Sequence, residues 1–116
     1  MILAALLMLQ AAAPAPATDA VTVIGQRLHD WRGTYKNGAC TVRKSSGDAE
    51  IDRIGCTAME RCFPQFESRF QGTQDREVRR EVKKVMIAAL NADLTKCVES
   101  ERKAGIAALA ARRQGA

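Results

Sequence analysis

Aromatic side chains are scarce, with one Trp, one Tyr and three Phe among 116 residues, or 4%. They do not alternate with the basic residues, so stacking on nucleic-acid bases has little to work with and specific nucleic-acid recognition is not expected. Histidine occurs once, as His29, and no Cys-x-x-Cys pair is present. That leaves a zinc site without its usual close ligand pairs, and no metal or other cofactor is expected. No Ser-x-x-Lys or Gly-x-Ser-x-Gly setting surrounds Ser45 or Ser46, and there is no glycine-rich phosphate loop, so these serines lack the common settings of an activated nucleophile. A long hydrophobic run is missing too. Ile2 to Leu9 is apolar, but Pro14 and Pro16 interrupt the sequence well short of the ~20 residues that a spanning helix requires.

What is there begins with that short run. An apolar stretch followed by small residues and an Ala-Pro alternation has the layout of a secretory signal, with cleavage expected after Ala17. Every charged residue follows Ala17, so the mature chain would keep the whole formal charge of +5. The expected location is periplasmic or secreted, with no membrane span in the mature chain. Residues 1–17 are thus assigned to the signal, 18–110 to a single α+β disulfide-stabilised domain, and 111–116 to a frayed tail. A domain of this size has only a modest core.

Export gives the cysteines a meaning. Cys40, Cys56, Cys62 and Cys97 all lie in the mature part, and an even number in an oxidising compartment implies two disulfides. Cys56 with Cys62 is disfavoured, because six residues of helix separate their Cα atoms by about 9 Å. The preferred pairs are Cys40 with Cys56 and Cys62 with Cys97.

The secondary structure follows from turn chemistry and periodicity. Val21-Thr22-Val23-Ile24, broken by Gly25, suggests a short edge strand or extended arm. Asn37-Gly38 predicts a two-residue hairpin turn, since both residues tolerate positive φ. The resulting hairpin, about 31–44, would pair Tyr35 with Cys40, Gly33 with Val42 and Trp31 with Lys44. Trp31, Tyr35, Cys40 and Val42 would share its inner face, with Lys44 over the Trp31 ring.

Residues 51–56 could form a third strand, but that would oppose Arg43 to Arg53. A helix over about 48–63 sorts the residues better. Ile51, Ile54, Gly55, Ala58, Met59, Cys62 and Phe63 fall on one side, and Glu50, Arg53, Thr57, Glu60 and Arg61 on the other. Ser46 or Asp48 would cap its start and Pro64 would end it. Gly55 would let the helix approach the hairpin closely.

Phe66 and Phe70 then suggest a short helix or turn. A further helix, about 75–100 and capped by Thr73 or Asp75, would bury Val78, Val82, Val85, Met86 and Ala89, with a bend near Asn91 and Asp93. The fold class is therefore α+β, a hairpin packed against two or more helices.

The stretch from Cys40 to Cys56, with Ser45-Ser46-Gly47 and then Ile51-Asp52, resembles part of the C-terminal domain of the TonB family of envelope energy transducers. The resemblance implies a strand running into Ser-Ser-Gly and then a helix, and it supports a bridge from Cys40 to Cys56. It stops after Phe63, where Pro64 and helical sequence replace the family's further strands. Energy transduction is not implied. Asp19, Val21, Thr22 and Val23 resemble the short box by which outer-membrane receptors add a strand to such domains.

The remaining polar residues support three functional readings. His29 stands alone, and Asp52 is expected to hydrogen-bond the Ser45-Ser46-Gly47 loop, so an enzyme is disfavoured. Arg76, Arg79, Arg80, Lys83 and Lys84 could bind anionic envelope material such as lipid headgroups or polysaccharide. Glu77-Arg80 and Glu81-Lys84 pairs would instead make these residues a solvated face. The leading expectation is a non-enzymatic module whose partner is another envelope protein.

Overall fold

A computed structural model of the chain describes residues 16–115. Helix α1 (Pro16–Asp30) leads into strands β1 (Arg32–Lys36) and β2 (Ala39–Lys44). Helices α2 (Ala49–Gly72) and α3 (Arg80–Gly115) follow. The expected signal lies outside the described residues except for Pro16 and Ala17, which begin α1.

The segment expected to be an edge strand is helical. Ala20, Ile24 and Leu28, spaced four apart, lie on one helix face, and Ile24 and Leu28 are buried while Val21 and Val23 are exposed. That four-residue spacing outweighs the β preference of the valines, because burying one face of a helix gains more than propensity costs. Asp19 in the first turn and Arg27 and His29 in the last also suit the helix dipole.

The hairpin forms at the expected turn, with Asn37 and Gly38 both at positive φ. Tyr35 pairs with Cys40 and Gly33 with Val42, but Lys44 pairs with Arg32 across an irregularity next to Gly33. Trp31 therefore precedes β1, and its buried ring sits under Arg102, whose guanidinium carbon is 5.6 Å from the ring centroid, instead of under Lys44. Val42 is exposed; Tyr35 and Cys40 turn inward.

Asp48 caps α2, its carboxylate accepting from the N–H groups of Glu50 and Ile51. Ile51, Ile54, Gly55, Ala58 and Cys62 are buried as the helical pattern requires. A Cβ on Gly55 would stand 2.7 Å from the Trp31 ring, so the glycine is what allows this contact.

Pro64 does not end the helix. It removes one backbone N–H, which costs about 3 kcal/mol in a helix interior, yet α2 continues to Gly72. The Gln65 side-chain amide donates to the Arg61 carbonyl at 2.7 Å, one residue beyond the Glu60 carbonyl that the proline deprives of its donor. The helix is tied to α3 on both sides of the proline, by Cys62–Cys97 before it and by Arg69 with Asp93 after it, where Phe66 is also buried.

Thr73 closes α2, its hydroxyl donating to the Phe70 carbonyl, and does not cap α3. Asp75 accepts from the Glu77 N–H in the connecting turn. Helix α3 begins at Arg80 and runs without a break past Asn91 and Asp93 to Gly115. Its buried face is set by Leu90, with Met86 and Leu94 half-buried, so Val82, Val85 and Ala89 lie outside. The change of face along the helix reflects which side α2 covers, and needs no bend.

The segment assigned to a tail, 111–116, is helical as far as Gly115. Leu109 and Ala110 are buried, and Arg112 and Arg113 reach Glu50 and Asp48. The resulting fold is α+β, stabilised by Cys40–Cys56 and Cys62–Cys97, with Cα separations of 5.5 and 5.9 Å. Its core joins α1, the hairpin, the start of α2 and the end of α3 through Ile24, Leu28, Trp31, Ile51, Ile54, Leu109 and Ala110. This is the base. The rest of α2 and the first part of α3 run together as a two-helix arm, in which Phe66, Thr73 and Leu90 are buried.

Candidate functional surfaces

The turn between β2 and α2 is a closed hydrogen-bond network. Asp52 accepts from the Ser45 hydroxyl at 2.5 Å, the Ser46 hydroxyl at 2.6 Å and the Ser46 N–H at 2.7 Å. Burial pushes the Asp52 pKa up, but the bonds from Ser45 and Ser46 outweigh it and hold the carboxyl below its ordinary value. A carboxylate spent in this way fixes the strand-to-helix turn, the structural role expected for it. Beside it, the Arg113 guanidinium holds Asp48 below the usual carboxylate range, assisted by the N–H groups of Ile51 and Glu50 and opposed by burial.

His29 is exposed at the end of α1, and its carbonyl accepts from Arg32 at 2.7 Å. Neither His29 nor Asp52 lines either of two surface grooves found among the described residues. The larger groove, about 600 Å³, runs between the hairpin turn and the arm over Tyr35, Asn37, Phe63, Phe70 and Leu94. The smaller, about 310 Å³, is floored by Met59, Phe63, Leu94 and Val98 and ends at Arg102. The Tyr35 and Phe63 rings meet edge to face at 5.3 Å, so the first groove has a fixed aromatic wall.

Arg102 is half-buried. Burial first, then the charge of Arg32, lower its pKa from the ordinary arginine value. Its Nε and the Nε1 of Trp31 are buried and find no hydrogen-bond partner among the described residues. Sequence reading missed Arg102 because α3 was not expected to pass over Trp31; only the long, unbroken helix places it there.

The five cations singled out from the sequence cluster at one end of the arm. Arg76 and Arg79 lie in the turn, and Arg80, Lys83 and Lys84 in the first turns of α3. Among the described residues none of the five side chains has an ion-pair or hydrogen-bond partner, and the Glu77-Arg80 and Glu81-Lys84 pairs do not form. The helix dipole makes their position costly, because cations are disfavoured near a helix N-terminus. Val82 and Val85 beside them are 43% and 70% exposed.

Asp19, Val21, Thr22 and Val23 are within α1 and do not form a strand. Adding that segment to another sheet would require α1 to unwind and Ile24 and Leu28 to leave the core. All four cysteine sulfurs are in disulfides. Among the described residues no helix is long and apolar enough to cross a membrane. No protein-family model matches the chain, and no curated protein and no solved structure is significantly similar to it.

Proposed function

We propose that the chain is an exported, disulfide-held module that acts by binding another component of the cell envelope, without catalysing a reaction. The observation that carries this reading is the outward face of the arm. Val82 and Val85 are exposed beside Arg79, Arg80, Lys83 and Lys84, whose side chains have no partner among the described residues, whereas Arg112 and Arg113 at the base are paired. Both an exposed aliphatic surface and unpaired like charges are unfavourable in the free protein, and a partner relieves both. Two disulfides and the signal-like first segment support an oxidising compartment outside the cytoplasm.

Affinity capture from envelope extract tests the proposal. The protein with Cys40–Cys56 and Cys62–Cys97 formed should retain a specific envelope component at low salt, and less of it at raised salt. A variant with Arg79, Arg80 and Lys83 changed to Gln should retain less. Equal recovery by both proteins, or none by either, overturns the reading.

A second reading rests on the same cations. Five unpaired basic residues around the start of α3 suit anionic headgroups or polysaccharide directly. Salt-sensitive binding to phosphatidylglycerol vesicles, weakened by the triple variant, would favour it; binding unchanged by that variant would reject it.

A further inference from the structure

The smaller groove ends on a charge that the fold leaves without a counter-ion. Arg102 is half-buried over the Trp31 ring, and among the described residues none of its nitrogens has a hydrogen-bond or ion-pair partner. The two acids next to it along α3 do not supply one. Glu101 is taken by Arg61 at 3.1 Å, and Glu99 is exposed and forms no ion pair with Arg102. The charge that acts on Arg102 is instead that of Arg32, of like sign, whose own donors go to the carbonyls of His29 and Trp31. The Trp31 ring offsets part of the cost through its π face, but the N–H groups lie in the guanidinium plane and a ring beneath that plane accepts none of them.

An apolar groove leads up to this cation. Leu94, Val98 and Arg102 recur every four residues on one side of α3, and Met59 and Phe63 line the same groove from α2. Met59, Phe63, Leu94 and Val98 are all half-buried, so each keeps surface that the fold does not cover. Phe63 and Leu94 also line the larger groove, so the two adjoin, and the apolar floor continues to Phe70 and Tyr35. From Met59 to Phe70 it follows α2 for about 16 Å at ~1.5 Å per residue. In the larger groove Lys36 and Glu67 have opposite signs, so that end carries no net charge.

Size and charge together select the occupant. A groove of about 310 Å³ is at the lower end for a small-molecule site, and it suits one chain with a compact head better than the two chains and glycerol of a membrane phospholipid. The guanidinium fork matches the two oxygens of a carboxylate. We infer that this groove is a binding site for a single-chain fatty carboxylate, its head on Arg102 and its chain along Val98, Leu94 and Phe63 toward Phe70. None of these residues belongs to the outer face of the arm, so the inference goes beyond the binding-module reading and is tested separately from it.

NMR titration of the whole chain, with both disulfides formed, against dodecanoate below its micelle concentration tests the site. The methyl signals of Met59, Leu94 and Val98 and the side-chain signal of Arg102 should shift together and saturate. Shortening the probe to decanoate and then octanoate should weaken binding by up to about fourfold per methylene removed. Dodecyltrimethylammonium, with the same chain and the opposite charge, should bind at least about tenfold more weakly, and Arg102→Gln should weaken dodecanoate by a similar factor. Because Arg102 also covers Trp31, a second variant is placed at the exposed Thr95, which lines the same groove. Thr95→Glu should weaken dodecanoate at least about threefold through like charge and leave the melting temperature unchanged.

No saturable shift, shifts confined to Val82 and Val85, equal binding of the cationic probe, or an affinity indifferent to chain length overturns the inference. So does dodecanoate binding that neither variant weakens. Capture of an envelope component by a protein that does not bind dodecanoate would overturn this site and leave the binding-module reading standing.

Discussion

The base and the arm are built from the same two helices and are held in different ways. In the base, three helices and a hairpin converge on Trp31, which is only 2% exposed, with Ile24, Leu28, Ile51 and Leu109 around it. In the arm, α2 and α3 have only each other, and Cys62, Phe66, Thr73 and Leu90 are among the residues they bury. Two helices without a third layer bury one stripe each, too little apolar area to offset the ordering of two long segments. The Cys62–Cys97 bridge and the Arg61–Glu101 and Arg69–Asp93 pairs lie along this seam. Each region has one disulfide, Cys40–Cys56 in the base and Cys62–Cys97 in the arm, but the base adds a larger buried core while the arm relies more on its bridge and ion pairs.

That contrast can be broken most sharply at its centre. Trp31→Ala should cost about 3–5 kcal/mol, the range for deleting a buried aromatic, and should lower the urea midpoint of the whole protein. Loss confined to the hairpin, with α1 and α3 protection unchanged in hydrogen exchange, would show that the base is not one unit.

The paired Cys62→Ser and Cys97→Ser substitutions should cost roughly 4 kcal/mol by chain entropy, for a sequence separation of 35. Their effect should be local. Amide exchange should rise across residues 66–90 while the amides of Ile24, Leu28 and Ile51 stay protected at the level set by global unfolding. Equal loss of protection in both regions would mean that the arm and base unfold together.

Asp48→Ala should cost about 1 kcal/mol at neutral pH, the usual value of an N-cap. Asp48 and Asp52 both have native pKa values below the ordinary 3.8, so they bind fewer protons in the folded chain than in the unfolded one. Their stabilisation is complete above the unfolded value and is lost as pH falls through the native ones. The gap between wild type and Asp48→Ala should accordingly narrow below about pH 4 in thermal melts.

The smallest change is expected at the arm's outer face. Val85→Ser should alter stability by less than about 0.5 kcal/mol, because the side chain is 70% exposed. A larger loss in a dilute melt would place Val85 in an intramolecular contact and remove the arm's apolar face.

Much of the base was legible because its signals are local. Asn37-Gly38 specifies its own turn through positive φ, and the spacing of Ile51, Ile54, Ala58 and Cys62 identifies the buried side of α2 without knowledge of what covers it. The disulfide pairing followed from that face together with the reach of a cystine. Asp52 was readable for the same reason, lying seven residues from Ser45 and six from Ser46.

The readings that failed depended on a distant neighbour. Val21-Thr22-Val23-Ile24 alternates like a strand, and only the core that receives Ile24 and Leu28 makes it a helix. Pro64 weakens a helix that α3 then holds in place. Val82 and Val85 share a helical stripe with Ala89, as the sequence suggests, but α2 lies on the other side. The composition after Ala104 suggests a loose end, whereas α3 is helical to Gly115, with Leu109 and Ala110 completing the base and Arg113 reaching Asp48.

The sequence by itself determined the hairpin turn, the capped start of α2 and its buried side, since each depends on backbone preferences and periodicity over a few residues. Tertiary structure decided that α1 is a helix, that α2 and α3 run unbroken, that Arg102 covers Trp31, and which face of the arm is left exposed. Those outcomes turn on which apolar surfaces meet, and one chain segment does not carry the shape of the surface that will cover it.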